Sequence, residues 1–214
     1  MSQDPARLMR FVLEMRQAGV TDARALSALE RTSRAHYAPA HMEGLAMDDV
    51  GLPLAHAQTM TKPSIVGRVI AALQPQDDDV VLEVGTGSGF QAATLSMLAH
   101  KVVTLERWRD LAVEARGRFG TARLMRVFAH AADGAEGWAA EAPYDRIVVN
   151  AAVRDLPLAL LDQLKPGGVL VAPIGEAEAQ RLVRYCNGQR EDLGPARFQP
   201  LEFGLGEEGG EQPS

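Results

Sequence analysis

The sequence predicts an α/β protein of the Rossmann-like class. A mostly parallel central sheet carries helices on both faces, with antiparallel strands at the C-terminal end and a helical N-terminal extension. Three observations predict it. Between about residue 80 and residue 165, short apolar runs alternate with segments of helical period, the pattern of a parallel sheet covered on both sides. The first run ends in a glycine-rich turn, "VLEVGTGSGF", where α/β folds place their ligand site. Outside that stretch the alternation stops. The 214 residues suffice for one such domain and are short for two.

The elements follow in order. "DPARLMRFVLEMRQAGV" reads as a helix capped by Asp4, with Pro5 in its first turn, Leu8, Phe11, Val12 and Met15 on one stripe, and Gly19 as its stop. "TDARALSALERTSRAHY" reads as a second helix, capped by Thr21, with Leu26 and Leu29 inward. The loop-rich segment 38–64 is long for a connection, and such loops are usually functional. "SIVGRVIAAL" is an apolar helix and "QPQDDD" a turn. Then come strand "VVLEVG", helix "FQAATLSMLA", strand "KVVTLE", helix "RDLAVEARGRF", strand "RLMRVFA", strand "YDRIVVNAA", helix "LPLALLDQL", and a turn into strand "KPGGVLVAPIG". "AQRLVRYCN" and "ARFQPLEF" read as a closing hairpin. Residues 1–206 form one domain on this reading. Its 1–63 part supplies N-terminal helices and a cleft-covering loop, and 64–206 supplies the sheet. The polar, glycine-rich tail 207–214 is expected to be disordered.

Composition excludes several classes. A net charge of −6 offers no basic surface for displacing counterions from nucleic acid. No apolar run approaches a membrane span, and the N-terminus lacks a secretion pattern. The single cysteine, Cys186, permits no internal disulfide, which fits a reducing cytoplasm; it reads as strand filler. The five histidines show no metal-ligand spacing, so no metal site is expected. Trp108 and Trp138 read as packing or cofactor-edge residues.

A glycine-rich turn alone is a weak signal, so three readings compete. The dinucleotide fingerprint G-x-G-x-x-G would put Phe90 at its last glycine. A phosphate loop needs G-K-[ST], and no lysine follows. The third is E-x-G-x-G-x-G, with Glu83 two residues before Gly85, as in S-adenosylmethionine methyltransferases. Gly85, Gly87 and Gly89 let backbone approach a ligand, and Thr86 and Ser88 lie between them. Glu106 ends the next strand, where a carboxylate can accept two ribose hydroxyls. Asp133, followed by Gly134, ends the strand after that and can reach the adenine end. Three acids in order around a triple glycine favour the third reading over three unconnected polar strand ends.

With those residues in place, the chain resembles the protein-L-isoaspartate O-methyltransferases from about Leu8 to Leu205. "LEVGTGSG" and "LKPGG" recur across many methyltransferases and specify only the fold. "LPLAHAQTMTKP" and "DLGPARFQPL" are far more particular. The resemblance implies an S-adenosylmethionine-dependent enzyme that methylates the α-carboxyl of isoaspartyl residues in damaged proteins and peptides and releases S-adenosylhomocysteine. The ester collapses to a succinimide, whose hydrolysis returns some normal aspartate. It implies a cytoplasmic repair enzyme, taken as a monomer, whose partners are isoaspartyl proteins and neither nucleic acid nor membrane.

The family's G-Q-T-I-S-x-P segment reads here Ala57, Gln58, Thr59, Met60, Thr61, Lys62, Pro63. Thr61 stands at the serine that is catalytic or substrate-orienting, and Gln58 and Thr59 are candidate substrate contacts. Thr61 also reads as the N-cap of the following helix, a compatible role. Lys62 either draws acidic peptides or points to water. Asn150, where bacterial relatives often have threonine, contacts cofactor or substrate, or only a neighbouring loop. Gln180 matches a family glutamine near the cleft. The chemistry needs no base, because a carboxylate is already ionised near pH 7 and its attack on a sulfonium neutralises opposite charges. The departures at Ala57, Thr61 and Asn150 leave two alternatives open: a methyltransferase of this fold with another carboxyl acceptor, and a non-catalytic S-adenosylmethionine-binding adaptor. A nicotinamide oxidoreductase is disfavoured by the glycine frame.

Overall fold

The computed structural model describes residues 5–206; Asp4 and the tail 207–214 lie outside the described residues. Helix α1 (Pro5–Gln17) buries Phe11 and Met15 and stops at Gly19, whose φ of +92° favours glycine. Helix α2 (Ala23–Arg31) is capped by Asp22, whose side chain accepts the Ala25 N–H. The expected cap, Thr21, is one residue too early for its oxygen to reach that amide. The loop-rich segment contains a 3-10 turn (Ala40–Leu45) and a small hairpin, β1 (Leu52–Pro53) against β2 (Thr59–Met60). Its tip puts His56 at φ 56° and Ala57 at φ 53°, where a Cβ costs roughly 1–2 kcal/mol.

Helix α3 (Pro63–Leu73) leads to β3 (Val80–Val84), α4 (Phe90–Leu95), β4 (Lys101–Glu106), α5 (Arg109–Thr121), β5 (Val127–Ala131) and β6 (Tyr144–Val149). Then follow α6 (Leu158–Leu161), β7 (Leu164–Ile174), β8 (Arg181–Cys186) and β9 (Gln189–Pro195). The seven-stranded sheet runs β5-β4-β3-β6-β7-β8-β9. It is parallel through β7 and antiparallel beyond, as the sequence predicts. The closing hairpin differs. Its second strand is Gln189–Pro195, while "ARFQPLEF" runs back over the sheet's end, bridging Ala152 to Pro200. Asn187 and Gly188, both at positive φ, form the tight turn that brings the strand earlier.

Alternate residues of the strands build two cores. Val81, Val102 and Val148 face the layer that holds helices α1 to α3. Leu82, Val103, Ile147 and Leu170 face Leu156 and Leu160, in and beside the short α6. These strands are buried on both faces, which is why they read as unbroken apolar runs. The chain leaves β3 toward β4 and later returns to β6 on β3's other side. That reversal opens a crevice between β3 and β6 at their carboxyl ends.

Candidate functional site

A cleft lies over that crevice. Gly85–Ser88 form one wall, Glu106 and Arg107 another, and Asn150 and Ala151 a third. Gln58–Thr61 and Pro200–Glu202 close it from above. Gly85 has φ +92°, and a Cβ there would stand 3.2 Å from that of Asn150. Glycine thus permits both the turn and the close approach of β6.

Glu83 is fully buried behind this wall. Its carboxylate accepts the Thr104 hydroxyl (2.7 Å) and the Asn150 amide (3.1 Å). Thr104 is in turn bonded to Thr86 at 2.6 Å. Asn150 also donates to the Gly85 carbonyl (3.1 Å) and accepts from Gln91 (2.9 Å). One buried acid therefore fixes the glycine loop on one side and Asn150 on the other. Burial pushes the Glu83 carboxyl up to about 8, against the pull of Thr104, Asn150 and Gln91. Burial also raises Glu106, although the Gly87 and Trp108 N–H groups donate to its two oxygens at 2.8 and 3.1 Å.

The S-adenosylmethionine expected from the sequence fits this donor set. Glu106 keeps lone-pair capacity beyond its backbone bonds, as a pair of ribose hydroxyls requires. Two buried carboxyls suit a ligand that carries a sulfonium and an ammonium. Gly87, beside Glu106, leaves room for close contact.

Of the residues singled out in the sequence, Gln58, Thr59, Thr61, Gly85, Thr86, Gly87, Ser88, Glu106, Gly134 and Asn150 meet at the cleft. Four do not line it. Glu83 stands behind it. Gly89 serves packing instead, because a Cβ there would come within 2.8 Å of the Phe119 ring. Asp133 caps a 3-10 turn and accepts the Gly204 N–H at 2.7 Å. Gln180 is buried and clamps Phe198 through both the backbone N–H (2.7 Å) and carbonyl (2.9 Å). It shapes the segment over the cleft from behind.

Thr61 is not the helix cap. The N-cap of α3 is Lys62, which makes no side-chain cap bond. Asp49 caps from another part of the chain, accepting the Ser64 N–H (2.8 Å) and hydroxyl (2.7 Å). Lys62 stays partly open to water, its side chain 44% exposed, while its ammonium meets Asp49 at 3.2 Å. The hydroxyl of Thr61 makes no hydrogen bond among the described residues, while its carbonyl is held by Arg34 at 3.3 Å. Arg34 is buried and also binds the carbonyls of Ala46, Asp48 and Val50. Thr61 is thus fixed by its backbone and free at its side chain.

Burial would raise Asp49, but the bonds from Ser64 and Lys62 outweigh it and hold the carboxyl below its usual value of 3.8. A depressed acid stabilises the fold above that unfolded value, and the contribution is lost as pH falls through the folded one. Asp49→Ala should therefore cost about 1–2 kcal/mol at neutral pH. In thermal unfolding the gap from wild type should narrow under acid; a constant gap would contradict this cap.

Sequence reasoning missed Arg34, Asp49, Gln91, Arg107 and the Pro200–Glu202 segment. Gln91 follows the glycine loop directly and is legible from that position. The others depend on long-range contacts that no spacing reveals.

Comparison with known proteins gives consistent matches. The family described as protein-L-isoaspartate(D-aspartate) O-methyltransferase matches residues 7–200. A protein-L-isoaspartate O-methyltransferase of Paracoccus denitrificans is 45% identical over 97% of this chain and 100% of its own length. One from Xanthobacter autotrophicus is 47% identical over 92% and 93%. A solved protein-L-isoaspartate O-methyltransferase structure superposes with a TM-score of 0.81 at 22% identity, covering 93% of this chain and 67% of the other. A putative protein-L-isoaspartate O-methyltransferase from Plasmodium falciparum, in complex with S-adenosyl-L-homocysteine, gives 0.77 at 21%, over 90% and 97%.

Proposed function

The chain belongs to the protein-L-isoaspartate O-methyltransferase family, and from that premise we propose how its own residues perform the family's reaction. It is an S-adenosylmethionine-dependent enzyme that methylates isoaspartyl residues in damaged polypeptides. The observation that carries the site assignment is the hydroxyl of Thr61. It lines the cleft, on a backbone pinned by Arg34, with no partner among the described residues.

S-adenosylmethionine, when bound, supplies an electrophilic methyl group. Glu106 would hold its ribose, and the loop Gly85–Ser88 would take its amino-acid part. Asp133 and Gly134 would serve the adenine end, Asp133 indirectly through the Gly204 N–H it accepts. Glu83 is a positioning residue, acting through Asn150, Thr104 and Thr86. Thr61 would donate to one oxygen of the acceptor carboxylate and leave the other free to react. Thr59 and Gln58 line the acceptor's approach, with Asn150 opposite them; Gln180 supports the far wall. A neutral hydroxyl orients the carboxylate without dampening it as a lysine would. No proton moves, so no His/Asp pair is needed, and the task is in-line positioning in a partly dry site.

The wider reading takes residues 1–206 as one domain, in which 1–63 cover the cleft built by 64–206. It takes the protein as a cytoplasmic monomer without nucleic acid, which the net charge of −6 and the single cysteine support. No helix of the described residues is long and apolar enough to cross a membrane.

The test is a repair assay. With S-adenosylmethionine, the protein should lower the isoaspartyl content of an aged polypeptide, with succinimide and then aspartate replacing it. Unchanged isoaspartyl content would contradict the reading.

A further inference from the structure

Beside the cleft, on the far side of Pro200 and Leu201, lies a second hollow of about 900 Å³. Its apolar wall includes Val153, Pro157, Leu158, Leu201 and Phe203. Leu158 and Phe203 are each 75% exposed, although large apolar side chains standing free on two sides of one groove are normally covered. Two ion pairs stand at the rim, Arg154 with Glu176 and Arg190 with Asp155, both at 2.8 Å, and Glu136 lines it as well. The groove therefore offers an apolar bed whose rim cations are already paired.

We propose that this groove seats an apolar side chain of the substrate polypeptide, a few residues from the isoaspartyl acceptor. The proposal rests on the methyl-transfer reading above and extends it to sequence preference. Continuity with the cleft carries it. Pro200 and Leu201 line both hollows. The loop after β6 passes from Asn150 and Ala151 in the cleft to Ala152 and Val153 in the groove. An isoaspartyl residue within a polypeptide has chain on both sides. An extended chain advances about 3.3 Å per residue, so a few residues carry it across the single segment between the hollows. The protein's own tail is a poor occupant, because "EEGGEQPS" has no large apolar residue.

The test uses isoaspartyl decapeptides of one sequence, with a single leucine or serine at each of four positions on either side of the acceptor. A blocked isoaspartyl tripeptide serves as the acceptor that cannot reach the groove. Wild type should prefer leucine at one or two positions by about tenfold in kcat/KM, chiefly through KM. Leu158→Ser with Phe203→Ser should erase that preference. The same variant should leave tripeptide turnover and S-adenosylhomocysteine affinity unchanged, which also shows that it folds. A preference that survives the double substitution overturns the proposal, as does its absence from wild type. A chain ending at Gly206 that gains peptide affinity would make the tail the occupant and overturn it. Self-association lost in the double variant, with peptide preference intact, would make the occupant a second copy. Failure to methylate even the tripeptide would remove the underlying function, a result distinct from loss of preference alone.

Discussion

Thr61→Val should lower kcat for an isoaspartyl peptide about 100-fold, the cost typical of removing one well-placed hydrogen-bond donor. It should leave S-adenosylhomocysteine affinity and melting temperature near wild type. The fold does not use this hydroxyl. Helix α3 is capped by Asp49, and the backbone at residue 61 is held by Arg34. Valine fills the same space, so the loss isolates the O–H group. Positioning explains the size, because a freely turning carboxylate attacks in line only part of the time. Thr61→Ser should restore most of the rate, since it returns the donor and removes only a methyl. Steady-state kinetics decide it: an unchanged kcat in the valine variant would reduce Thr61 to lining.

The stability of the ligand-free protein should fall as pH rises from about 4.5 toward about 8, and Glu83→Gln should remove most of that slope. The folded value of Glu83 is about 8, above its unfolded 4.5. Between the two, the folded state holds a proton that the unfolded state has released. Its contribution is full below the unfolded value and is lost as pH rises through the folded one. The amount is on the order of a few kcal/mol, given the burial. Glutamine keeps the shape without the titration. Glutamine also cannot ionise when a cationic ligand binds in front of Asn150, as Glu83 can, so S-adenosylmethionine affinity should drop about tenfold or more. Thermal unfolding across pH checks the first part and calorimetry the second. A slope that persists in the glutamine variant would place its origin elsewhere.

Much of the fold was legible because local pattern and tertiary role agree in β3 to β7. Strands buried on both faces must be apolar throughout, and "VVLEVG" and "KVVTLE" are. The glycine loop and Glu106 were legible for the same reason: backbone approach and strand-end chemistry restrict residue type. The misreadings concern side chains that act at a distance. "TKP" has the look of a capped helix start, yet Asp49 does the capping from another loop. Gln180 has the polarity of a cleft residue, but both ends of its amide are spent on Phe198. Glu83 occupies the motif position expected of a ligand contact, yet it lies one layer behind the wall and works through Asn150. Arg34 sits in an irregular stretch with no periodicity to mark it, and only the folded chain shows the four carbonyls it gathers. "ARFQPLEF" alternates like a strand, yet it is drawn to the sheet's end by Ala152 and Gln180.

The central claim is that this cleft transfers methyl to the carboxyl of an isoaspartyl residue. The most direct measurement is initial-rate methyl transfer from labelled S-adenosylmethionine to twin peptides. They share one sequence and differ only in whether the backbone runs through the α- or the β-carboxyl of one aspartate. The account predicts alkali-labile label on the isoaspartyl twin and background on the aspartyl twin. Equal labelling of the two, or none on either while S-adenosylhomocysteine still binds, would contradict it.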